Sequence, residues 1–343
     1  MKLGNKIRKM RIKAGLTQEQ LAEKLAVSGQ SVSKWENDVS MPDIMLLPDI
    51  AEIFGVSIDE LFDLTVAQKL KRIENRIEIE EELSEQSFRD YESFLLQQLD
   101  EKNNRVEALS LLADLYHHRM ECDSKRVSKY AREAILLDPS QKNCQWLLSK
   151  AEGHAVWDWN FANHSRAIDF YKDVIAGDVG DPKTSMPYYY LIDNLLADGR
   201  AVEAELYLTE FSRLPSANPV MIDVYKAYIA LANYDVKVAD EIIARCVADH
   251  PDDSGYLFEA AQYYARRCDY DKAIELYERS WAVDKAPRYT DALYGIAMIH
   301  KIRGDKNGAL SVYDRILECL RNEWGYSIED KPYIEAEQEK NNI

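Results

Sequence analysis

In the second half of this 343-residue chain, Ala239, Ala273 and Ala309 each stand four residues before a larger side chain, Ile243, Tyr277 and Tyr313, at steps of 34 and 36 residues. A small residue lets one helix approach another closely, and a residue four places on lies on the same helical face. A recurrence of this length is the period of a two-helix unit. No such unit buries its apolar face alone, so the units must stack. The same spacing continues backwards as Ala204 with Leu208 and Ala167 with Tyr171. Ala134 followed by Asp138-Pro139 reads as an earlier unit whose internal turn has been lengthened. About six units are expected between Arg105 and Arg321, with Gly199 and Gly304 in turns between paired helices and Pro251 closing one unit. Thirteen glycines and ten prolines are few for this length, which also points to an all-α chain.

The first forty residues carry a different signal. Thr17 to Asn37, TQEQLAEKLAVSGQSVSKWEN, spell two short helices around a tight corner. Leu21, Ala22 and Leu25 give the first an apolar face, Val32 and Trp35 the second, and Val27 plugs the corner. Thr17 with Gln20 forms a capping box, and Ser28 caps the second helix. Five helices are expected: Leu3 to Ala14, Gln18 to Ala26, Gly29 to Asn37, Asp43 to Phe54, and Ile58 to Phe62 opened by Ser57 with Glu60. Their core should hold Ile7, Leu21, Leu25, Val32, Trp35, Leu47, Ile50, Phe54, Ile58 and Leu61.

At these residues the chain resembles the lambda-repressor-like (XRE) helix-turn-helix family, from about Leu3 to Phe62. The resemblance implies binding to double-stranded DNA, with the second helix of the motif in the major groove. On that likeness Gln30, Ser31 and Lys34 are the expected base readers and Ser33 a further one, while Gln18 and Asn37 match phosphate-contacting positions. Gly29 stands where relatives often read a base with a side chain. Arg11 is expected to pair with Glu36 inside the domain and not to touch DNA. One such domain reads few base pairs, so a homodimer is expected.

Net charge sharpens this division. The chain carries −17, yet residues 1–38 hold eight Lys or Arg against four Asp or Glu. Only that segment suits phosphate, and the acidic remainder should repel it, unless its acidity serves solubility alone. Between the two parts, Val66, Leu70, Ile73 and Ile77 form an apolar stripe on one helix, either a connector packed on its own chain or a dimer seam. The expected organisation is residues 1–63 as the DNA-binding domain, 64–83 as a linker helix and 84–343 as the helical repeat.

The repeat is similar to the tetratricopeptide (TPR) family, which places the first helix of each pair on a concave surface. Projecting its consensus onto this chain puts Tyr189, Asp193, Val224, Tyr228, Leu231, Phe258, Gln262, Arg266, Tyr294 and Met298 on that surface. Joined to the head, this architecture resembles the RRNPP regulators of Gram-positive bacteria, in which a small signalling peptide binds the TPR groove and alters DNA binding, as in quorum sensing. The effector-binding residues this implies are Tyr189, Asp193, Tyr228, Gln262, Arg266, Tyr294 and Met298. A DNA-tethered scaffold or an antitoxin-like module that docks a protein partner is the alternative.

No catalytic residue, cofactor or metal site is expected. The six histidines include no H-E-x-x-H, and no phosphate-binding glycine loop or nucleophile elbow is present. His117 and His118 are neighbours on a helix, point in different directions, and are expected at the surface or an interface. Cys122, Cys144, Cys246, Cys268 and Cys319 are far apart and are expected to be reduced, buried or half-buried thiols. With no signal peptide and no membrane span, a cytoplasmic location is expected.

Overall fold

A computed structural model describes residues 3–62, 65–101, 103–180 and 183–343, without the side chains of Asp59 and Glu60. The expected Ser57–Glu60 cap and the boundary between residues 63 and 64 therefore lie outside the described residues. The described residues are all-helical, and the chain divides into two compact units, one up to Asp123 and one from Ser124 onward.

The first unit opens with the head: α1 (Leu3–Lys13), α2 (Gln18–Lys24), α3 (Gly29–Glu36), a 3-10 turn (Ile44–Leu46), α4 (Leu47–Phe54) and α5 (Ile58–Leu61). The caps form as the local sequence dictates. Gln20 N–H donates to Thr17 Oγ1 at 3.1 Å, Thr17 N–H donates to Gln20 Oε1 at 2.8 Å, and Ser31 N–H donates to Ser28 Oγ at 3.1 Å. α2 ends at Lys24, two residues short of the expected Ala26, because Ala26 turns into the left-handed region at φ 53°. Ile7, Leu21, Leu25, Val32, Trp35, Leu47, Ile50 and Leu61 form the core with Leu3, Ala22 and Ala51, and Phe54 packs against its edge. Ile58 is not in it: α5 is four residues long, turns Leu61 inward and leaves Ile58 exposed. Gly4 lets α1 lie against the end of α3, since a Cβ there would stand 1.8 Å from the Trp35 carbonyl oxygen.

After the head come α6 (Val66–Ile79), α7 (Glu85–Gln98) and α8 (Arg105–Leu137). Leu70 and Ile73 of the α6 stripe are buried with Phe88 and Leu95 of α7 and with Ala108, Leu111 and Leu115 of α8, and Ile77 packs at the edge. Three of the four stripe residues thus pack on the chain's own α7 and α8, while Val66 is exposed. His118 is not a surface residue. It is buried and its Nε2 lies 2.7 Å from the Glu80 carbonyl oxygen, satisfying one of the acceptors left over at the end of α6.

α8 also corrects the expected earliest unit. It runs unbroken for 33 residues, through Ala134, because nothing between Arg105 and Leu137 is glycine or proline. Beyond it lie α9 (Lys142–Ala151), α10 (Trp159–Ala162) and α11 (Ser165–Gly177).

The second unit then stacks four helix pairs among the described residues, fewer than the six expected: α12 (Met186–Ala197) with α13 (Ala201–Phe211), α14 (Pro219–Ala232) with α15 (Val236–Asp249), α16 (Ser254–Arg266) with α17 (Tyr270–Val283), and α18 (Asp291–Ile302) with α19 (Lys306–Asn322). α11 packs onto the first pair and α20 (Lys331–Asn341) onto the last. Ala204, Ala239, Ala273 and Ala309 are fully buried where the second helix of each pair crosses its neighbours, and Leu208, Ile243, Tyr277 and Tyr313 are buried one turn later. The turn inside each pair passes through one left-handed residue, Gly199, Tyr234, Cys268 and Gly304 in succession. Cys268 is exposed there, unlike Cys246 and Cys319 in the core and the half-buried Cys122 and Cys144.

Candidate functional site

The first site is built on α3. Arg11 of α1 donates to Glu36 through Nε at 2.5 Å and Nη2 at 2.9 Å, and to the Leu16 carbonyl at 2.7 Å. Gln18 of α2 donates to the same carboxylate at 2.8 Å. Burial alone would lift the Glu36 pKa, but the bonds from Arg11 and Gln18 outweigh it and hold the carboxyl below its usual range. Three helices are thus tied at one point, and α3 is fixed at its C-terminal end while Val32 and Trp35 anchor its inner face.

On its outer face Gln30 and Lys34 stand exposed one turn apart. Ser33 and Ser31 are half-buried, and Ser31 Oγ lies 2.8 Å from Ser28 Oγ, tied to the cap. Asn37 is exposed and its Nδ2 donates to the Ser33 carbonyl at 2.8 Å, closing the end of α3. Gly29 faces the Glu19 side chain. Gln18 is half-buried with its amide nitrogen committed to Glu36, a partnership the sequence pattern did not reveal. The loop after α3 exposes Val39, Met41, Ile44 and Met45, so this part of the head surface is apolar.

The second site lies on the first helices of the pairs. Asp193, Leu196 and Ala197 of α12, Tyr228, Leu231 and Ala232 of α14, and Arg266 of α16 line a concavity of about 690 Å³. Three of the seven expected effector residues, Asp193, Tyr228 and Arg266, meet here. Tyr225 OH donates to Asp193 Oδ1 at 2.9 Å, and the Arg266 guanidinium lies 5.6 Å from the centre of the Tyr228 ring. Loss of water raises the Asp193 pKa against the pull of Tyr225 and Arg266, and burial pushes the Tyr228 hydroxyl up to about 12. Tyr189 instead packs edge-on against Phe211, 5.0 Å between ring centres, as part of the core. Gln262 is half-buried on α16, and Tyr294 and Met298 lie one pair farther along on α18, with Met298 exposed. Glu259, on the same face of α16 as Arg266, was not singled out by the consensus; it is half-buried and its pKa is raised by burial and by Asp193.

A helix-turn-helix family profile matches residues 7–61, most of the compact head. An HTH-type transcriptional regulator of Methanocaldococcus jannaschii is 41% identical over 58 residues, covering 17% of this chain and 88% of that protein. The chain belongs to the helix-turn-helix family. The HTH-type transcriptional activator BcrR of Enterococcus faecalis is 41% identical over 76 residues, 22% of this chain, and the match spans only 37% of that protein's length. Among solved structures, Bacillus thuringiensis PlcR in complex with the peptide PapR7 and DNA covers 88% of this chain and 98% of its own at 14% identity and a TM-score of 0.25, a likeness too weak to assign anything to this helix-turn-helix protein.

Among the described residues no group of His, Cys, Asp and Glu is arranged to hold a metal ion, and no helix is long and apolar enough to cross a membrane.

Proposed function

We propose that this helix-turn-helix protein is a cytoplasmic, sequence-specific DNA-binding transcription regulator, that it acts as a homodimer, and that an effector in the groove of its second unit, a small signalling peptide, modulates operator binding. One observation carries the DNA-binding reading: Gln30 and Lys34 project from the exposed face of a helix whose other face is locked by Val32, Trp35 and the Arg11–Glu36 pair. A glutamine amide can bond adenine bidentately and a lysine can reach guanine, so these two head the base readers, with Ser31 and Ser33 beside them. Gln18, Gly29 and Asn37 border the reading helix at its phosphate-facing ends. For Gln18 to bond a phosphate, its nitrogen must leave Glu36.

The peptide reading rests on the concavity between α12, α14 and α16, where an apolar floor carries a few polar groups, the usual make-up of a ligand site. Gln262, Tyr294 and Met298 extend it along the same row of first helices, while Tyr189 would have to leave Phe211 to join them. An effector that moves the protein from 1:99 to 99:1 in favour of one DNA-binding state must prefer that state by about 5.5 kcal/mol.

The test is selection of bound duplexes from a random pool, followed by mobility-shift titrations. Gln30→Ala and Lys34→Ala should each cost roughly 1–3 kcal/mol on the selected site and relax base preference there. Equal loss on random duplex would remove both from the reading role.

A further inference from the structure

A second cavity, of about 490 Å³, lies within the first unit, apart from the groove. Lys69, Arg72 and Arg76 line it from α6, where steps of three and four residues put them on one helical face. Asp90, Tyr91 and Phe94 line it from α7, and Ser57, just before α5, brings the head to its edge. Its size suits a small molecule.

Three of the four charged side chains in this lining are cations. Arg76 is fixed in place: its Nη2 donates to Glu80 Oε2 at 2.9 Å, and its Nη1 donates to Tyr91 OH. Because a guanidinium can only donate, the phenol oxygen is the acceptor in that bond and the Tyr91 O–H proton is left for another acceptor. It finds none among the described residues. Lys69 Nζ stands 5.3 Å from the centre of the Phe94 ring and makes no hydrogen bond or ion pair among the described residues. Asp90, the one carboxylate of the lining, is exposed and accepts from Gln86 Nε2 at 2.8 Å. With Glu80 counted beside it, cations still outnumber carboxylates by three to two.

Lys69 and Tyr91 therefore present two donors to one space, beside an apolar wall made by Ile73 and the Phe94 ring. Both are half-buried, so an entering acceptor competes only with water, and a charge-assisted bond is stronger in such a recess than at an open surface. A cationic ligand would meet Lys69, Arg72 and Arg76 together. We infer that the cavity binds a small aromatic acid, a phosphate or a carboxylate, whose oxygens accept from the Lys69 ammonium and the Tyr91 hydroxyl while its ring lies against Ile73 and Phe94. The two acids share what matters here, several acceptor oxygens on one anionic centre. A duplex backbone has the same oxygens but no apolar body for the wall. Since the lining runs from Ser57 to α7, the bound acid bridges the head and the helices that follow it.

The experiment is calorimetric titration of the full chain, at one ionic strength, with phenyl phosphate, benzoate, inorganic phosphate and benzylamine. Phenyl phosphate, benzoate or both should bind roughly tenfold more tightly than inorganic phosphate, through burial of the ring, and benzylamine should not bind. Which acid leads separates a phosphate from a carboxylate. Lys69→Met should weaken the leading acid by roughly tenfold and Tyr91→Phe by roughly threefold, whereas Lys34→Ala on α3 should leave it unchanged. Tyr91→Phe keeps the ring, and the thermal midpoint without ligand shows that each variant is folded. Absence of binding by both aromatic acids, no gain from the ring, or undiminished binding in Lys69→Met and Tyr91→Phe overturns the site. Weaker duplex binding in those two variants, with no effect on the acids, would hand the cavity to the DNA backbone and overturn it as well.

Discussion

Glu36 shows how a single residue can decide the geometry of the head. Its side chain is 1% exposed and that of Arg11 is 12% exposed, so the pair sits where an unpaired charge is expensive. Arg11→Met should leave the Glu36 carboxylate buried with only Gln18 and weaken the head by about 3–5 kcal/mol, whereas adding Glu36→Leu should recover most of that loss. Hydrogen exchange at the amides of α3 reads this directly, and unchanged protection in Arg11→Met would mean that the pair does not hold α3 in place. The pair also sets an acid limit. Because the folded Glu36 pKa is depressed, its contribution is complete above the unfolded value of about 4.3 and disappears as pH falls through the lower folded value. Protection of α3 should therefore drop below about pH 4.3, and the drop should be absent when both residues are apolar.

At the level of helices, the turn inside each pair asks for one left-handed residue. Glycine meets that demand at Gly199 and Gly304, but Tyr234 and Cys268 meet it with side chains, at φ 65° and 61°. The strain of an ordinary residue there is roughly 1–2 kcal/mol, and the extra freedom of glycine in the unfolded chain offsets about half of it. Tyr234 is almost wholly exposed and packs on little, so Tyr234→Gly should stabilise the second unit by about 0.5–1 kcal/mol in urea denaturation. A loss of stability would mean that the ring has a packing role. These turns also explain what could be read from the sequence. The caps of α2 and α3 were legible because Thr17–Gln20 and Ser28 signal over three residues, and the paired helices because Ala239, Ala273 and Ala309 mark each close crossing. The length of α8 was not, since Ala134 and Asp138-Pro139 imitate a repeat while nothing before Leu137 breaks the helix. Asp193, Tyr228 and Arg266 could be placed by projecting the repeat. Glu259 was passed over, because its raised pKa comes from burial and from Asp193 on another helix, which no local pattern records.

For the molecule as a whole, the charge is distributed as unevenly as the chemistry. The basic residues of the first 38 positions belong to the head, while the remainder of the chain is strongly acidic. The proposed effector in the groove and a polyanionic operator at the head are then two separate ligands of one chain. If they are coupled, thermodynamics requires the coupling to be mutual: a peptide that changes operator affinity by some factor must have its own affinity changed by the same factor when operator is bound. For a regulatory effect of 5- to 150-fold, typical of such coupling at about 1–3 kcal/mol, the groove peptide should bind the operator complex and the free protein with Kd values that differ by that same ratio. Calorimetric titration of a groove-binding peptide into both samples measures it, alongside operator titrations with and without peptide. A ratio different from one, equal in both directions, shows that the two sites are coupled. A peptide that binds the groove with no difference between the two samples would leave the second unit a docking scaffold carried by a DNA-binding head, which separates regulation by an effector from simple tethering without knowledge of the natural ligand.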